Sequence, residues 1–263
     1  MSDTSPSAPR PSVDAARVEV YIPGSHERGE EMSLAQRLFY RLVRAVVVLI
    51  AHAYFRVRVT GGEHIPSTGP FILSPVHRSN LDTPVIAAVS RRRLRYMGKE
   101  SLWKSRFGGW FLTTAGGFPV QRGSADRDAL RAGREVLDRG EPLVLFPEGT
   151  RQFGPVVQPL FHGAAYLSCR TGAPIVPVGI GGSEAAMPKG SKMVYPRKLT
   201  MVVGEPIHPP ALGPKGRVPR QAVNTLTEQL SAAIQVLFDQ AQELAGTPNP
   251  ASGLLSARPE EPA

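Results

Sequence analysis

The sequence lacks features that several large classes of protein require. It has one cysteine, Cys169, which excludes an internal disulfide and a zinc site built from several thiolates. Met1 is followed by a polar segment rich in Ser and Pro, so we expect no signal peptide. The pattern Gly-x-Ser-x-Gly, which exposes the nucleophile of many serine hydrolases, is also absent. These absences disfavour disulfide scaffolds, multi-thiolate zinc proteins and hydrolases of that type.

Basic residues outnumber acidic ones. The 31 Lys and Arg residues exceed the 22 Asp and Glu residues, giving a net charge of +9 that favours anionic partners such as acidic phospholipid, phosphorylated substrates or nucleic acid.

Residues 1–32 and 246–263 have no sustained apolar period, so we predict disordered tails there. Residues 33–245 are predicted to form a single domain.

Short apolar runs alternate with helical patterns along this domain. The alternation predicts an α/β fold with a mostly parallel central sheet flanked by helices. The predicted strands lie near residues 55–59, 71–74, 94–97, 116–122, 142–145, 175–178 and 199–203. The last of these is predicted to lie at the edge of the sheet. The longer predicted helices cover residues 33–53, 125–139, 161–171 and 220–244.

The spacing of His77 and Asp82 is the first pattern that indicates chemistry. His77 follows the apolar run 71–73, where a buried strand would end, and Asp82 stands five residues later. This spacing can place the carboxylate beside the imidazole and fix its tautomer, which makes His77 a candidate general base. The alternative is structural: Asp82 would be an N-cap, with Pro84 in the first turn of the following helix.

A second polar cluster favours the catalytic interpretation. The segment Phe146-Pro147-Glu148-Gly149-Thr150-Arg151 directly follows the strand-like run 142–145. Because ligands of open α/β sheets bind outside the strand ends, two polar clusters at two strand ends indicate one shared site. Between them, residues 116–122 predict a short strand that ends in an arginine. A buried Glu148–Arg151 pair with a purely structural role is the alternative for the second cluster.

Four segments, taken together, resemble the four ordered blocks of the glycerolipid acyltransferase superfamily, whose best-known members are the 1-acyl-sn-glycerol-3-phosphate acyltransferases. Residues 77–82 are similar to the His-x4-Asp block, and residues 118–122 to the second block. Residues 146–151 are similar to the Phe-Pro-Glu-Gly-Thr-Arg block, and Val176-Pro177 to the fourth. The resemblance covers roughly a hundred residues and is strongest in the third block.

The resemblance implies an O-acyltransferase of the His-x4-Asp type. It would move a fatty acyl group from acyl-CoA, or from acyl carrier protein, to the free hydroxyl of 1-acyl-sn-glycerol 3-phosphate and so make phosphatidic acid for phospholipid biosynthesis. His77 would remove the hydroxyl proton and Asp82 would orient the imidazole, as the buried acid of a hydrolase triad does. Since a thioester is already activated, no metal ion or other cofactor is expected, and acyl-CoA is a co-substrate.

The same resemblance implies the substrate-binding residues, which are Arg122, Glu148, Gly149, Thr150 and Arg151. Arg122 and Arg151 are expected to bind the acceptor phosphate, because forked guanidinium donors suit phosphate oxygens. Glu148 is expected to position the acceptor. Gly149 and the first amides of the helix at Asp82 are candidate oxyanion donors.

Two departures from the family pattern leave the acceptor open. Val76 stands where many members have Asn before the histidine, and residues 160–163 replace a stretch that often contains a Phe-Lys pair. The missing lysine removes one possible phosphate contact. Glycerol 3-phosphate or another lysolipid is therefore the alternative acceptor.

The helix predicted over residues 33–53 is amphipathic. Its apolar residues Leu34, Leu38, Leu42, Ala45 and Leu49 recur at helical spacing, and Arg37, Arg41 and Arg44 fall on the opposite side. Residues 45–55 form an uncharged run of eleven residues, well short of the roughly 18 to 20 that span a bilayer. We therefore expect a peripheral or monotopic helix that contacts an anionic membrane on the cytoplasmic face of the cell membrane. The alternative is an ordinary surface helix packed on the core.

The aromatic segment around Trp103, Phe107 and Trp110 has two interpretations. It is either part of the core or a surface that contacts an acyl chain or lipid.

Two other classes of protein compete with the acyltransferase interpretation. The arginine cluster 91–95 would also suit a nucleic-acid-binding protein. Such a cluster is typical of a solvated helix end, however, and no nucleic-acid-binding signature accompanies it. We therefore expect no nucleic-acid partner. A membrane-surface scaffold without catalysis is disfavoured because His77, Asp82, Glu148 and Arg151 are all present.

Overall fold

The computed structural model describes residues 32–120, 126–188, 190–211 and 217–250. They form one seven-stranded sheet flanked by helices, which confirms the predicted α/β class. The strands are β1 (Arg58–Thr60), β2 (Ile72–Pro75), β3 (Arg95–Lys99), β4 (Gly117–Val120), β5 (Leu143–Val144), β6 (Ile175–Gly181) and β7 (Thr200–Val203). The α-helices are α1 (Leu34–Ala53), α2 (Asp82–Val85), α3 (Arg106–Thr114), α4 (Asp126–Asp138), α5 (Gly163–Thr171), α6 (Ser183–Ala186) and α7 (Arg220–Ala245).

The topology places the loops after β2 and β5 side by side. The strand order is β1-β7-β6-β2-β5-β3-β4, and the five strands from β6 to β4 run parallel to one another. In β2 and β5, Ile72 pairs with Leu143 and Leu73 with Val144. Because parallel neighbours end at the same edge of a sheet, the His77 loop and the Glu148 loop leave that edge together.

The strand predicted at residues 199–203 does not lie at the edge of the sheet, so that prediction was wrong. β7 lies between β1 and β6, antiparallel to β6 and parallel to β1. All four of its residues are buried. Its near-continuous apolar run is typical of an interior strand, and β1 is the edge strand in its place.

Helix α7 packs directly against β6 through glycines. A Cβ atom added at Gly179 would overlap the backbone carbonyl of Leu237, and one added at Gly181 would overlap that of Ala241. The two glycines therefore let the helix and the strand approach at backbone distance. Their buried partners on α7 include Ile234, Phe238 and Ala241.

We expect Gly179→Ala to destabilise the protein strongly. The new methyl group meets backbone atoms of α7 that cannot rotate away, so the helix must shift at a cost of about 3 kcal/mol in the free energy of unfolding. Gly163→Ala is the matched control, because the nearest atom to its added Cβ is a Leu130 methyl at 3.6 Å. Urea denaturation of the two variants measures the difference, and equal midpoints would contradict the close packing of α7 on β6.

Helix α1 begins where the sequence predicts, and its apolar face is exposed. Ser33 forms a capping box with Gln36: its side chain accepts from the Gln36 amide at 3.2 Å, and its own amide donates to the Gln36 side chain at 2.9 Å. Leu34, Leu38, Leu42 and Leu49 are 74, 56, 62 and 66% exposed, respectively. Within α1 only Ala51 is buried, so the leucines of α1 do not pack on the core.

Helix α3 extends this exposed apolar surface. The ring of Phe39 on α1 packs against Trp110 on α3, with 4.7 Å between the ring centroids. Phe107 is 73% exposed and Trp110 40% exposed, so these two side chains are not core residues. We call the exposed apolar residues of both helices the α1–α3 apolar surface. In the part of the chain that the structure describes, no helix combines the length and hydropathy needed to cross a bilayer.

The arginine cluster before β3 is not a solvated helix end, so that interpretation was wrong. The Arg92 guanidinium donates to the carbonyls of Pro66, Gly69 and Gly140. The Arg93 guanidinium donates to the last carbonyls of α3, at Thr113 and Thr114. These arginines join loops and helix ends on one side of the domain.

The predicted tails lie mostly outside the described residues, which exclude 1–31 and 251–263. Residues 246–250, which the sequence assigns to the C-terminal tail, fold back against α7. The Asn249 side chain donates to the Asp239 carboxylate at 2.7 Å, and the Thr247 amide donates to the Gln242 carbonyl at 2.9 Å. Cys169 is buried in the core, and burial raises the pKa of its thiol, as expected for a structural cysteine.

Candidate active site

The structure brings His77 and Asp82 into contact. Nδ1 of His77 lies 3.1 Å from Oδ2 of Asp82. An ionised carboxylate at this position accepts the Nδ1 proton, so the neutral imidazole presents Nε2 as its proton-accepting nitrogen. The His77 side chain is 14% exposed, whereas that of Asp82 is fully buried. A base that reaches solvent and a buried acid that orients it form the arrangement that the sequence predicts.

Asp82 is held in place by backbone amides. Its Oδ2 atom also accepts from the amides of Arg78 and Ser79, both at 2.7 Å. These bonds fold the loop tightly around the carboxylate and leave it little freedom to rotate. Asp82 is the first residue of α2, and the N-cap position belongs to Leu81, which makes no side-chain capping bond. The alternative of Asp82 as a simple N-cap is therefore not what the structure contains.

The backbone of His77 is fixed by the loop that follows β5. Its amide donates to Oε2 of Glu148 at 3.0 Å, and its carbonyl accepts from the amide of Gln152 at 2.9 Å. The imidazole also stacks on Phe146, with 4.0 Å between the ring centroids and 28° between the planes. The first and third sequence blocks thus form one unit, in which the third block sets the position of the histidine.

Glu148 pairs with Arg78, not with Arg151, so the proposed structural pair within the third block was wrong. Nη1 of Arg78 lies 2.9 Å from Oε1 and 2.8 Å from Oε2 of the carboxylate. Oε1 also accepts from the Gln158 amide at 3.0 Å. The side chains of Glu148 and Arg78 are 0% and 1% exposed. Protein donors therefore occupy both carboxylate oxygens.

Arg78 is the largest fully buried side chain among the described residues and ties several segments together. Its Nε donates to the Gly154 carbonyl at 3.2 Å, and its Nη2 donates to the Val156 carbonyl at 3.1 Å. Its guanidinium also lies over the ring of Phe238 on α7, 4.9 Å from the centroid. The side chain therefore connects the His77 loop, the loop after β5 and α7.

Gly149 and Thr150 make the turn that carries the third block away from the sheet. Gly149 has a φ of 71°, and a Cβ atom there would lie 2.6 Å from the Phe161 ring. Both features favour glycine. The Gly149 amide donates to the Phe146 carbonyl at 3.1 Å, so it is engaged within the turn and does not meet the expectation of an oxyanion donor. The Thr150 hydroxyl accepts from the Gln152 side chain at 3.1 Å.

Arg151 is half-buried beside Gln152, whose amide contacts the His77 carbonyl. It makes no hydrogen bond or salt bridge with another described residue. Its guanidinium is therefore available to an anionic ligand. Arg122, the other predicted phosphate ligand, lies outside the described residues.

Sequence reasoning did not find the roles of Arg78, Ser79 and Phe146. Ser79 is fully buried and its hydroxyl donates to the Met187 carbonyl at 3.0 Å, which anchors the loop to the segment after α6. The polar residues between His77 and Asp82 show no periodicity, so nothing in the sequence pattern distinguishes a buried arginine from a solvated one. The only signal was the position of Arg78 inside the His-x4-Asp block.

Comparisons with known proteins find similar acyltransferases. Residues 56–181 match the model of the acyltransferase family. The 1-acyl-sn-glycerol-3-phosphate acyltransferase of Bacillus subtilis is 26% identical over 190 residues, which cover 72% of this chain and 91% of that protein. The enzyme of the same name from Streptococcus pneumoniae is 24% identical over 216 residues, covering 79% and 76% of the two chains.

A solved structure is similar as well. The 1-acyl-sn-glycerophosphate (LPA) acyltransferase of Thermotoga maritima superposes with a TM-score of 0.62 at 26% identity, and covers 77% of this chain and 81% of that one. The segment matched by the family model contains both the His77 loop and the Glu148 loop.

Proposed function

We propose that this chain, whose residues 56–181 match the acyltransferase family, moves a fatty acyl group from acyl-CoA to the free hydroxyl of 1-acyl-sn-glycerol 3-phosphate, forming phosphatidic acid. The observation that carries the proposal is the buried Asp82 carboxylate 3.1 Å from Nδ1 of His77. It makes Nε2 a base toward an incoming hydroxyl. The names of the relatives support the choice of a lysophosphatidate acceptor.

In the proposed reaction, Nε2 of His77 removes the hydroxyl proton as the acceptor oxygen attacks the thioester carbonyl carbon. Asp82 stabilises the imidazolium that forms. The tetrahedral intermediate then collapses, the carbon–sulfur bond breaks, and the imidazolium returns the proton to the leaving thiolate. The products are the new ester and free CoA, so proton and acyl group balance without an acylated enzyme.

The donor in this proposal is acyl-CoA, with acyl carrier protein as the alternative thioester. The thioester supplies the driving force, so the proposed reaction uses no metal ion and no further cofactor. The protein contributes a base, an orientation of the two substrates and a cationic environment for the acceptor.

The acceptor phosphate is proposed to bind Arg151 and Arg122. Support for Arg151 comes from its position next to Gln152, which contacts the His77 backbone, and from its lack of a described protein partner. A guanidinium beside the base would hold the phosphate while the hydroxyl reaches Nε2. Arg122 enters this proposal through the second sequence block alone.

Glu148 is proposed to position the acceptor indirectly. Its carboxylate is fully buried, and its oxygens accept from Arg78, Gln158 and the His77 amide. It therefore acts by holding the main chain of His77, and through it the imidazole, at a fixed distance from the acceptor hydroxyl.

The protein is proposed to act as a peripheral or monotopic enzyme at the cytoplasmic face of the cell membrane, where acyl-CoA and acyl carrier protein are found. The α1–α3 apolar surface supports this location, because contiguous exposed leucines and aromatic rings favour a lipid interface. A lysophosphatidate acceptor would reach the site from the same membrane.

Arg151→Ala is expected to raise the KM for lysophosphatidate by about 10- to 100-fold, because a charge-assisted hydrogen bond to phosphate contributes about 1.5–3 kcal/mol. The kcat should change by less than about threefold, since the base remains in place. Steady-state kinetics at varied acceptor concentration measures both constants. Arg134→Ala, on exposed α4, is the control, and an unchanged KM in Arg151→Ala would reject the phosphate contact.

The function itself is tested by incubating the purified protein with radiolabelled palmitoyl-CoA and a panel of acceptors. The panel contains both lysophosphatidate isomers, glycerol 3-phosphate and other lysolipids. We expect labelled phosphatidic acid as the main product. Preferential labelling of glycerol 3-phosphate would identify that compound as the acceptor. If no acceptor is labelled, the proposed function is overturned.

A further inference from the structure

A cleft lined by arginines lies between α1 and the chain that enters β3. It has a volume of about 510 Å³ and is lined chiefly by Tyr40, Arg41 and Arg44 from α1 and by Arg91 and Arg93 from the approach to β3. No carboxylate is found among the described residues that line it. Several guanidinium groups that share a cleft repel one another unless an anion lies between them.

Two of these guanidinium groups are held by backbone carbonyls and also have N–H donors without a partner among the described residues. Arg44 donates through Nη2 to the Ser90 carbonyl at 2.7 Å, and Arg93 donates through Nη2 to the carbonyls of Thr113 and Thr114. The Nε atoms of both arginines are buried and have no hydrogen-bond partner among the described residues. Buried donors are rarely left unpaired in folded proteins, so these two Nε groups mark a region where the described residues supply too few acceptors.

The electrostatic environment of the cleft is unfavourable for its own cations. Burial, with Arg95 adding to it, lowers the pKa of Arg93 to about 10, while Glu141 and Tyr40 act in the opposite direction. The Glu141 carboxylate is shared, since it also lies 3.7 Å from Arg95 and 3.0 Å from Arg139. A bound anion would compensate charge that the described residues balance only in part.

The cleft lies away from the His77 site. Arg93 precedes β3 by two residues, whereas His77 follows the carboxyl end of β2 by two residues. Both strands pair in parallel with β5, where Arg95 and Ile72 each pair with Leu143. Since a strand rises about 3.3 Å per residue, the two positions are separated by roughly 20 Å along the strands. The cleft is therefore not the phosphate clamp of the acyl acceptor.

The cleft also borders the α1–α3 apolar surface. Arg41 neighbours the exposed Leu42 on α1, and successive helical residues are rotated by about 100°. If the exposed leucines rest in the acyl region of a membrane, Arg41 and Arg44 lie at the level of the head groups. A phosphate from an anionic phospholipid is thus the source that the geometry favours, and free phosphate offers the same chemistry.

We propose that the cleft formed by Tyr40, Arg41, Arg44, Arg91 and Arg93 is a second anion site, which binds one phosphate group separately from the His77 site. The membrane part of this inference rests on the proposed function, because it assumes that α1 lies on lipid. The phosphate chemistry of the cleft does not depend on acyl transfer.

The test uses the double variant Arg41→Gln/Arg91→Gln, because both side chains are exposed and neither donates a hydrogen bond to a backbone carbonyl of the described residues. The control Arg131→Gln/Arg134→Gln removes the same charge from α4. Sedimentation with phosphatidylcholine vesicles containing phosphatidylglycerol should show about tenfold weaker binding for the cleft variant, since each basic residue near a membrane contributes on the order of 1 kcal/mol. The control should stay within about threefold of the wild type, and an equal loss in both variants would overturn a specific site.

A second measurement separates the two sources of phosphate. Inorganic phosphate that raises the Tm of the wild type but not of the cleft variant would assign the site to free phosphate as well as lipid. A vesicle effect without this shift would assign it to the lipid head group, and the absence of both effects would overturn the proposal. Transfer to lysophosphatidate in detergent micelles is measured in parallel. The cleft variant should retain the kcat of the wild type. If the wild type itself shows no transfer, the proposed function is wrong, but the proposal of a phosphate site in the cleft is unaffected.

Discussion

Replacing His77 by alanine is expected to lower kcat for acyl transfer about a thousandfold, because a positioned general base contributes roughly 10²–10⁴ to such reactions. The fold should persist. Asp82 keeps the two amide bonds from Arg78 and Ser79, and the loop keeps the bond between the Gln152 amide and the backbone carbonyl of residue 77. Rates with labelled palmitoyl-CoA, together with circular dichroism, measure both effects.

Two further variants sharpen this test. In Asp82→Asn the side-chain oxygen can take the place of Oδ2 and accept from the amides of Arg78 and Ser79 and from Nδ1 of His77, but the side chain loses its negative charge. A neutral amide no longer stabilises the imidazolium that forms when His77 takes the proton, so we expect kcat to fall about a hundredfold or more. His64→Ala is the control, since His64 follows the edge strand β1, which β7 and β6 separate from β2, and its Nδ1 contacts the Val203 carbonyl. Undiminished turnover in His77→Ala would remove the proposed base.

Arg78→Ala is expected to reduce the free energy of unfolding by about 4 kcal/mol, since removing one partner of a buried ion pair leaves the other charge uncompensated. Here the carboxylate left without its cationic partner is Glu148, whose side chain is fully buried. The substitution also leaves the carbonyls of Gly154 and Val156 without their donor. We expect catalysis to fall as well, because Glu148 holds the His77 amide. Urea denaturation and steady-state kinetics measure the two losses.

The double variant Arg78→Met/Glu148→Leu separates stability from positioning. Replacing both charges by apolar groups of similar size removes the stranded carboxylate, so we expect part of the lost stability to return. Turnover should stay low, because Glu148→Leu removes the acceptor of the His77 amide. Arg131→Ala breaks an exposed pair with Glu135 and should cost less than about 0.5 kcal/mol. If the double variant regained full activity, Glu148 would have no role in positioning His77.

The local chemistry of the chain made much of the fold predictable. The helical spacing of the leucines predicted α1 to within one residue at its start. Apolar runs without alternation predicted the buried strands β2, β5 and β6, because a strand covered on both faces has no polar side. Gly172, which ends α5 with a left-handed φ of 77°, was equally recognisable as a helix stop. These signals are local, so a single sequence is enough to detect them.

Strand order and ion-pair partners could not be predicted from the sequence. The interior position of β7 depends on its pairing with β1 and β6, and β1 lies roughly 140 residues earlier in the chain. The partner of Glu148 was misassigned for the same reason. Arg151 is close in sequence, but the parallel pairing of β2 with β5 brings Arg78 to the carboxylate instead.

The sequence by itself determined the alternation of strands and helices, the two polar blocks at strand ends, and the pairing of an imidazole with an acid five residues away. Each of these depends on neighbours within a few residues of one another. Only the tertiary structure decided that Arg78 is buried against Glu148, that the leucines of α1 face outward, and that arginines from α1 and from the approach to β3 share one cleft. Burial and long-range charge contacts depend on how distant segments pack, and no periodicity along the chain records that packing.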